Sequence, residues 1–131
     1  MAGTKNRPGP KIRLKVKVTL LNEEGRGFLG AGHYELLRRI SSSHSISGAA
    51  REMGMSYAKA HRILHDLEKN SVNQILLTHI GGMDRGGAEL TPFACTLIAA
   101  YEQFIEEVQE VARKRFQHME KLFTTKWMGE E

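Results

Sequence analysis

The spacing of apolar residues changes period several times along the chain, and each change predicts an element. Residues 11–21, KIRLKVKVTLL, alternate strictly. Ile12, Leu14, Val16, Val18 and Leu20 share one side; Arg13, Lys15, Lys17 and Thr19 share the other. A period of two is that of a half-buried β-strand, here with a basic outer face. A basic outer face is the usual protection of a strand edge. Residues 22–32 are glycine-rich and read as a hairpin or turn. A helix follows over 32–43, with Tyr34, Leu36, Leu37 and Ile40 as its buried stripe and Glu35, Arg38 and Arg39 facing water.

Residues 47–70, SGAAREMGMSYAKAHRILHDLEKN, read as two short helices around a tight turn. Ser47 is expected to cap the first, with Ile46 as its hydrophobic staple. Ala49, Ala50 and Met53 give that helix one small apolar face, and Gly54 supplies the left-handed residue that ends it. Ser56 caps the second, whose buried stripe is Ala60, Ile63, Leu64 and Leu67. Small alanines let two steeply crossing helices approach closely. This is the pattern of a DNA-binding helix-turn-helix, whose second helix enters the major groove.

Two short apolar runs, 74–80 and 88–90, flank a glycine-rich tip over 81–87 and predict a hairpin, positioned as a wing with Arg85 at its tip. A glycine loop of this kind is also a form that cradles anions. Thr91-Pro92 starts a last helix running to about residue 123. Leu97, Tyr101, Phe104, Val108 and Val111 recur at four-three spacing, and Ile98, Ile105, Ala112 and Met119 at seven. A helix of roughly 33 residues is about 50 Å long, longer than a small domain. The paired helix of a second copy is the natural cover for its face, and the dimerisation residues expected are Leu97, Tyr101, Phe104, Ile105, Val108, Val111 and Met119. The alternative is a helix folded back on its own domain and broken near 113–115.

At 131 residues the chain forms one domain with appendages: a disordered basic tail over 1–10, a DNA-binding unit over 11–90 and a dimerisation helix over 91–131. The basic tail is either a floppy terminus or an arm for a minor groove. The formal charge is +4, which suits a polyanionic partner without requiring one. A single cysteine, Cys95, excludes an internal disulfide and reads as a small core residue. No apolar run or signal segment points to a membrane, so a cytoplasmic chain is expected.

The second helix of the pair carries the candidate chemistry. At 100° per residue, Ala58, Lys59, Arg62, His65 and Asp66 lie opposite the apolar stripe, with His61 at its edge. Arg and Lys bond guanine edges or phosphates, and His serves either. A solvated face has the same composition; the Ala-Ala-Met-Gly turn before it favours the nucleic-acid use. Ala58, Lys59, Arg62 and His65 are the expected base readers, and Ser47, Ser56 and Arg85 the expected phosphate contacts. Other chemistry has little support. Gly25, Gly27 and Gly30 have the spacing G-x-G-x-x-G, but no βαβ unit follows. His61 and His65 stand four apart without further ligands in sequence reach, so no metal is expected. Neither a catalytic constellation nor a cofactor is expected.

The runs SISGAAREMGMSYAKAH and LLTHIGGMDRGGAELT resemble the N-terminal domain of the ModE-type, molybdate-responsive transcriptional regulators. The family pattern there is a glycine-serine-isoleucine-serine turn, an Ala-Ala helix, the sequence Gly-(Ile or Met)-Ser-Tyr, and a glycine-rich wing ending in a Leu-Thr helix start. The match covers roughly residue 11 to the helix beginning at Thr91. The resemblance implies a winged helix that binds DNA as a homodimer through its long C-terminal helix, with contacts at Ser56, Tyr57, Lys59, Arg62 and the wing. The family usually has Trp where this chain has His61. Longer members continue into small β-rich domains that bind molybdate or tungstate; this chain, ending at Glu131, is expected to lack one, and a separate molybdate-sensing partner has no support in the sequence.

The expectation is therefore an α+β, mainly helical fold: a winged helix-turn-helix with an N-terminal β-strand and a long C-terminal dimerisation helix. Its partners are double-stranded DNA and a second copy, and its function is sequence-specific transcriptional regulation. Two alternatives share the fold: a winged-helix protein-interaction module and a low-specificity architectural DNA binder, the latter usually more basic than this chain.

Overall fold

The computed structural model describes residues 9–79 and 87–129. Among them lie four helices and two small antiparallel sheets, a mixed helix and strand fold. The order is β1 (Leu20–Leu21), β2 (Gly27–Leu29), α1 (Ala31–Ser43), α2 (Ile46–Glu52), α3 (Tyr57–Lys69), β3 (Leu76–His79), β4 (Gly87–Leu90) and α4 (Pro92–Thr124). The chain forms two compact units: Lys17–Phe104, and Met1–Val16 with Ile105–Glu131. α4 runs unbroken, its first part belonging to one unit and its second to the other. No helix among the described residues is long and apolar enough to cross a membrane.

The core of the Lys17–Phe104 unit follows the helical stripes. Leu36, Leu37 and Ile40 of α1, Ala49 and Ala50 of α2, and Ala60, Leu64 and Leu67 of α3 are buried together with Ile75 and Ala88. Ile63 and Tyr34, expected in these stripes, are only half-buried. Gly54 ends the α2 turn at φ +70°, a conformation glycine adopts without the Cβ clash that other residues meet. The sequence reading places the cap of α2 at Ser47. The helix instead starts one residue earlier, at Ile46, and the Ser45 hydroxyl accepts the Gly48 N–H at 2.9 Å. Ile46 is therefore a buried first residue of the helix and not a staple before it.

The predicted strand over 11–21 is the larger correction. Only Leu20 and Leu21 pair, with Leu29 and Gly27 of β2. The three-residue β2 is too short to ladder with the rest, so residues 9–19 stay outside any strand. Their alternation survives in burial only in part: Ile12, Val16 and Val18 are half-buried, but Leu14, expected on the same side, is exposed like Lys11, Arg13, Lys15 and Lys17. The glycine spacing at 25, 27 and 30 serves this hairpin. Asn22 Oδ1 accepts the N–H groups of Glu24 and Arg26, and Gly25 turns the chain at φ +85°.

The second hairpin, β3–β4, pairs Leu76 with Leu90 through His79 with Gly87. Its tip, with the expected Arg85 contact, lies outside the described residues. Its root is fixed to the helices. The carbonyl of His44, the left-handed residue that ends α1, accepts the Ala88 N–H at 3.0 Å. A Cβ on Gly87 would come within 3.1 Å of that same oxygen. Thr91 is buried; its hydroxyl donates to Gln74 O at 2.6 Å and accepts the Ala94 N–H at 3.1 Å, capping α4 as the sequence predicts. Cys95, expected in the core, is exposed one residue beyond the buried Ala94.

Candidate nucleic-acid interface

α3 is built to show one face and bury the other. Its first turn leaves N–H groups without helical partners. The Ser56 hydroxyl accepts one of them, from Lys59, at 3.1 Å. A hydroxyl that accepts in this way keeps its own hydrogen to donate outward. Free N–H groups and the positive end of the helix favour an anion at the same place. Beyond the cap, Tyr57, Ala58, Lys59, His61, Arg62 and His65 are all exposed, while Ala60, Leu64 and Leu67 on the other side are buried. Tyr57 is 52% exposed, and its ring centroid lies 6.0 Å from that of the His61 imidazole, tilted against it.

The electrostatics of this face are set by where its acids go. Asp66, expected on the outward face, is turned to the first hairpin, where its Oδ2 accepts Arg26 Nη2 at 2.8 Å. Glu68 Oε2 accepts two backbone N–H groups, from Ile75 at 2.8 Å and Leu76 at 3.1 Å. Among the described residues, neither Lys59 nor Arg62 is paired with a carboxylate. The outward face of α3 is thus left basic and uncommitted.

A groove of about 530 Å³ runs between this face, the start of α2 and the β3–β4 hairpin. Ser45, Ser47, Tyr57, His61, His65 and Thr78 turn toward it. Ser47 is exposed there, its hydroxyl 3.3 Å from that of Ser45. The groove brings together four of the residues expected on the DNA-facing surface, Ser47, Tyr57, His61 and His65; Ser56, Ala58, Lys59 and Arg62 lie outside its lining. Among the described residues no group of three His, Cys, Asp or Glu side chains could hold a metal ion.

The residues expected on a dimerisation face divide. Phe104, Val111 and Met119 are exposed, at 46, 60 and 55%, and Leu97, Ile105 and Val108 are half-buried. Tyr101 is the correction: at 7% exposure it is used inside its own unit. Its hydroxyl donates to Val18 O at 3.3 Å and its ring lies 5.3 Å from that of Tyr34. The next residue, Glu102, accepts from Tyr34 Oη and from Arg38 Nη1. These two bonds hold the Glu102 carboxyl below its ordinary range, while burial and the same carboxylate push the Tyr34 hydroxyl up.

Glu68 and His44 position the elements of the site and are missed from sequence, as is the pairing of Asp66 with Arg26. An acid in the last turn of a helix before an Asn-containing loop is a weak signal for the first; partners far along the chain leave no local signal for the others.

A capped helix with an unpaired basic face, packed on a second helix across a glycine turn, is the general form in which helix-turn-helix proteins meet DNA. The resemblance to ModE-type regulators read from the sequence holds. The chain is 38% identical over 101 residues to the molybdenum-pterin-binding protein MopB of Rhodobacter capsulatus, covering 77% of this chain and 37% of that protein. It is 33% identical over 85 residues to the transcriptional regulator ModE of Haemophilus influenzae, covering 65% and 33%. It is 32% identical over 77 residues to the DNA-binding transcriptional dual regulator ModE of Escherichia coli K12, covering 59% and 29%. The chain spans about a third of the length of the curated relatives it matches. No family model matches it.

Proposed function

We propose that the chain is a sequence-specific, DNA-binding transcriptional regulator that acts as a homodimer. In this reading α1, α2, α3 and the β3–β4 hairpin form a winged helix. α3 enters the major groove, with Ala58, Lys59, Arg62 and His65 at base edges and Tyr57 and His61 beside them. Ser47 and Ser56 donate to phosphates, and the wing, with Arg85, meets the backbone or minor groove. Regulation follows from occupancy: a bound dimer covers or bends a promoter site. The observation that carries the reading is the exposed face of α3, whose cations have no acid partner while the neighbouring acids are spent elsewhere. The similarity to two proteins named ModE, both transcriptional regulators, supports it. The exposed Phe104, Val111 and Met119 support pairing of α4 with a second copy.

The test is selection from a pool of random duplexes at about 150 mM salt, followed by sequencing of the bound fraction. One motif with two half-sites is the expected result. Arg62→Ala then weakens binding to that motif by about 1–3 kcal/mol and relaxes specificity at one position. Weak, unselective binding that Lys59→Glu with Arg62→Glu leaves untouched refutes the proposal and turns attention to a protein partner.

A further inference from the structure

The charge of this chain is unevenly placed. Nineteen Lys and Arg face fifteen Asp and Glu, giving the net +4. Four of the nineteen, Lys11, Arg13, Lys15 and Lys17, fall within seven residues that contain no acid. The fifteen cations that remain equal the fifteen acids, so the rest of the chain is formally neutral. All four side chains are exposed, and among the described residues none is paired with a carboxylate. Between them, Ile12 and Val16 are half-buried while Leu14 is exposed, so two of the three interleaved side chains are turned away from water. The cations are therefore presented from a segment held at Ile12 and Val16, which lowers the conformational cost of using them together.

We propose that Lys11, Arg13, Lys15 and Lys17 form a second DNA-contacting surface, separate from α3, that takes the phosphate backbone of duplex DNA without regard to sequence. It rests on the DNA-binding reading above. A row of like charges with no interleaved acid repels a copy of itself, because like charges set opposite one another destabilise a strand pair. It complements a partner of continuous opposite charge. Duplex DNA carries one negative charge per ~1.7 Å of axis and a condensed layer of counterions, and each phosphate neutralised by a cation releases counterions. The segment thus supplies general affinity, and α3 supplies discrimination.

The experiment measures affinity for an unselected duplex as salt is varied. The proteins are the wild-type chain, K11Q/R13Q/K15Q/K17Q, and a control with four cations removed elsewhere, K114Q/R115Q/K121Q/K126Q. Each lost phosphate contact lowers the slope of log affinity against log salt by about 0.9, so four lower it by about 3.6 per chain. Between about 300 and about 100 mM salt, the gap between wild type and the N-terminal variant then widens about 50-fold. The control keeps a slope within about one unit of wild type. K11Q/R13Q gives about half the change and serves if the fourfold variant loses its helical circular dichroism. An N-terminal variant with the wild-type slope overturns the inference and leaves the regulator standing. Equal losses in both variants also overturn it, because they report net charge and not a local surface. A wild-type chain that binds no duplex at low salt overturns the DNA-binding reading itself.

Discussion

Glu68 offers the sharpest test of how the hairpin is held against α3. One carboxylate oxygen accepts from Ile75 N at 2.8 Å and Leu76 N at 3.1 Å. Ile75 is fully buried and Leu76 nearly so, so both N–H groups depend on this acceptor. An orphaned buried donor costs about 1–3 kcal/mol, giving about 2–6 kcal/mol for two. Glu68 itself is half-buried, which admits some water into the space left by a truncation. Glu68→Ala is therefore expected to destabilise the chain by about 2–4 kcal/mol. Glu68→Gln keeps one carbonyl acceptor but loses the charge that roughly doubles such bonds, so it loses about half as much. Urea unfolding followed by far-ultraviolet circular dichroism reads both, at one fixed protein concentration because association shifts apparent stability. Glu68→Ala within about 0.5 kcal/mol of wild type refutes the reasoning. So does Glu68→Gln losing as much as the alanine variant, since the retained acceptor would then count for nothing.

Two further outcomes follow from the same core. Burial holds the His33 imidazole below its usual value of 6.5, against the opposing pull of Asp66. Between the folded and unfolded values the unfolded chain binds more protons, so stability is fully present above about pH 6.5 and falls as pH drops toward the lower folded value. His33 Nδ1 accepts the Gly30 N–H at 3.1 Å, an acceptor that protonation removes. His33→Asn should flatten the pH dependence of the urea midpoint below about pH 6.5; an unchanged profile would place its origin elsewhere. At the crossing of the helices, Ala60 is fully buried beside α2, whose Ala49 and Ala50 are buried as well. Ala60→Leu is expected to cost about 1–3 kcal/mol through overpacking and to reduce DNA affinity by tilting α3. A leucine variant that melts like wild type would mean that the alanines do not set the helix approach.

Period and punctuation carried most of the fold. Gly54, Ser56 and Thr91 act within a few residues of themselves, so their turn and caps were legible in the sequence. The outward placement of Lys59, Arg62 and His65 follows from the buried stripe at Ala60, Leu64 and Leu67, because a helix that buries one side must show the other. The alternation over 11–21 misleads because a period of two says which side chains share a side but not whether a neighbouring strand or core exists to receive them, and Leu14 and Leu20 stay exposed. Ser45 and Ser47 are both competent caps, and the choice between them rests on Ile46 finding space in the core. Least legible was the fate of the acids. Asp66 meets Arg26 forty residues away and Glu102 meets Tyr34 at a separation of sixty-eight, so no local pattern distinguishes them from solvated charges.

α4 has a consequence for how its own order is maintained. Its buried side chains are Ala94 and Tyr101, both before Ile105, and none of its residues beyond that point is fully buried. A helix in water gains little from its hydrogen bonds alone and depends on packing to persist. The first part, tied to Tyr34, Arg38 and Val18, has that packing within the chain. The second part shares a unit with residues 9–16 but leaves Val111, Met119 and Phe123 exposed; in the homodimer proposed above, another molecule covers them, and the helicity of this part becomes in part a matter of mass action. Along one uninterrupted run of hydrogen bonds, backbone protection against exchange is then independent of dilution before Phe104 and dilution-dependent after it.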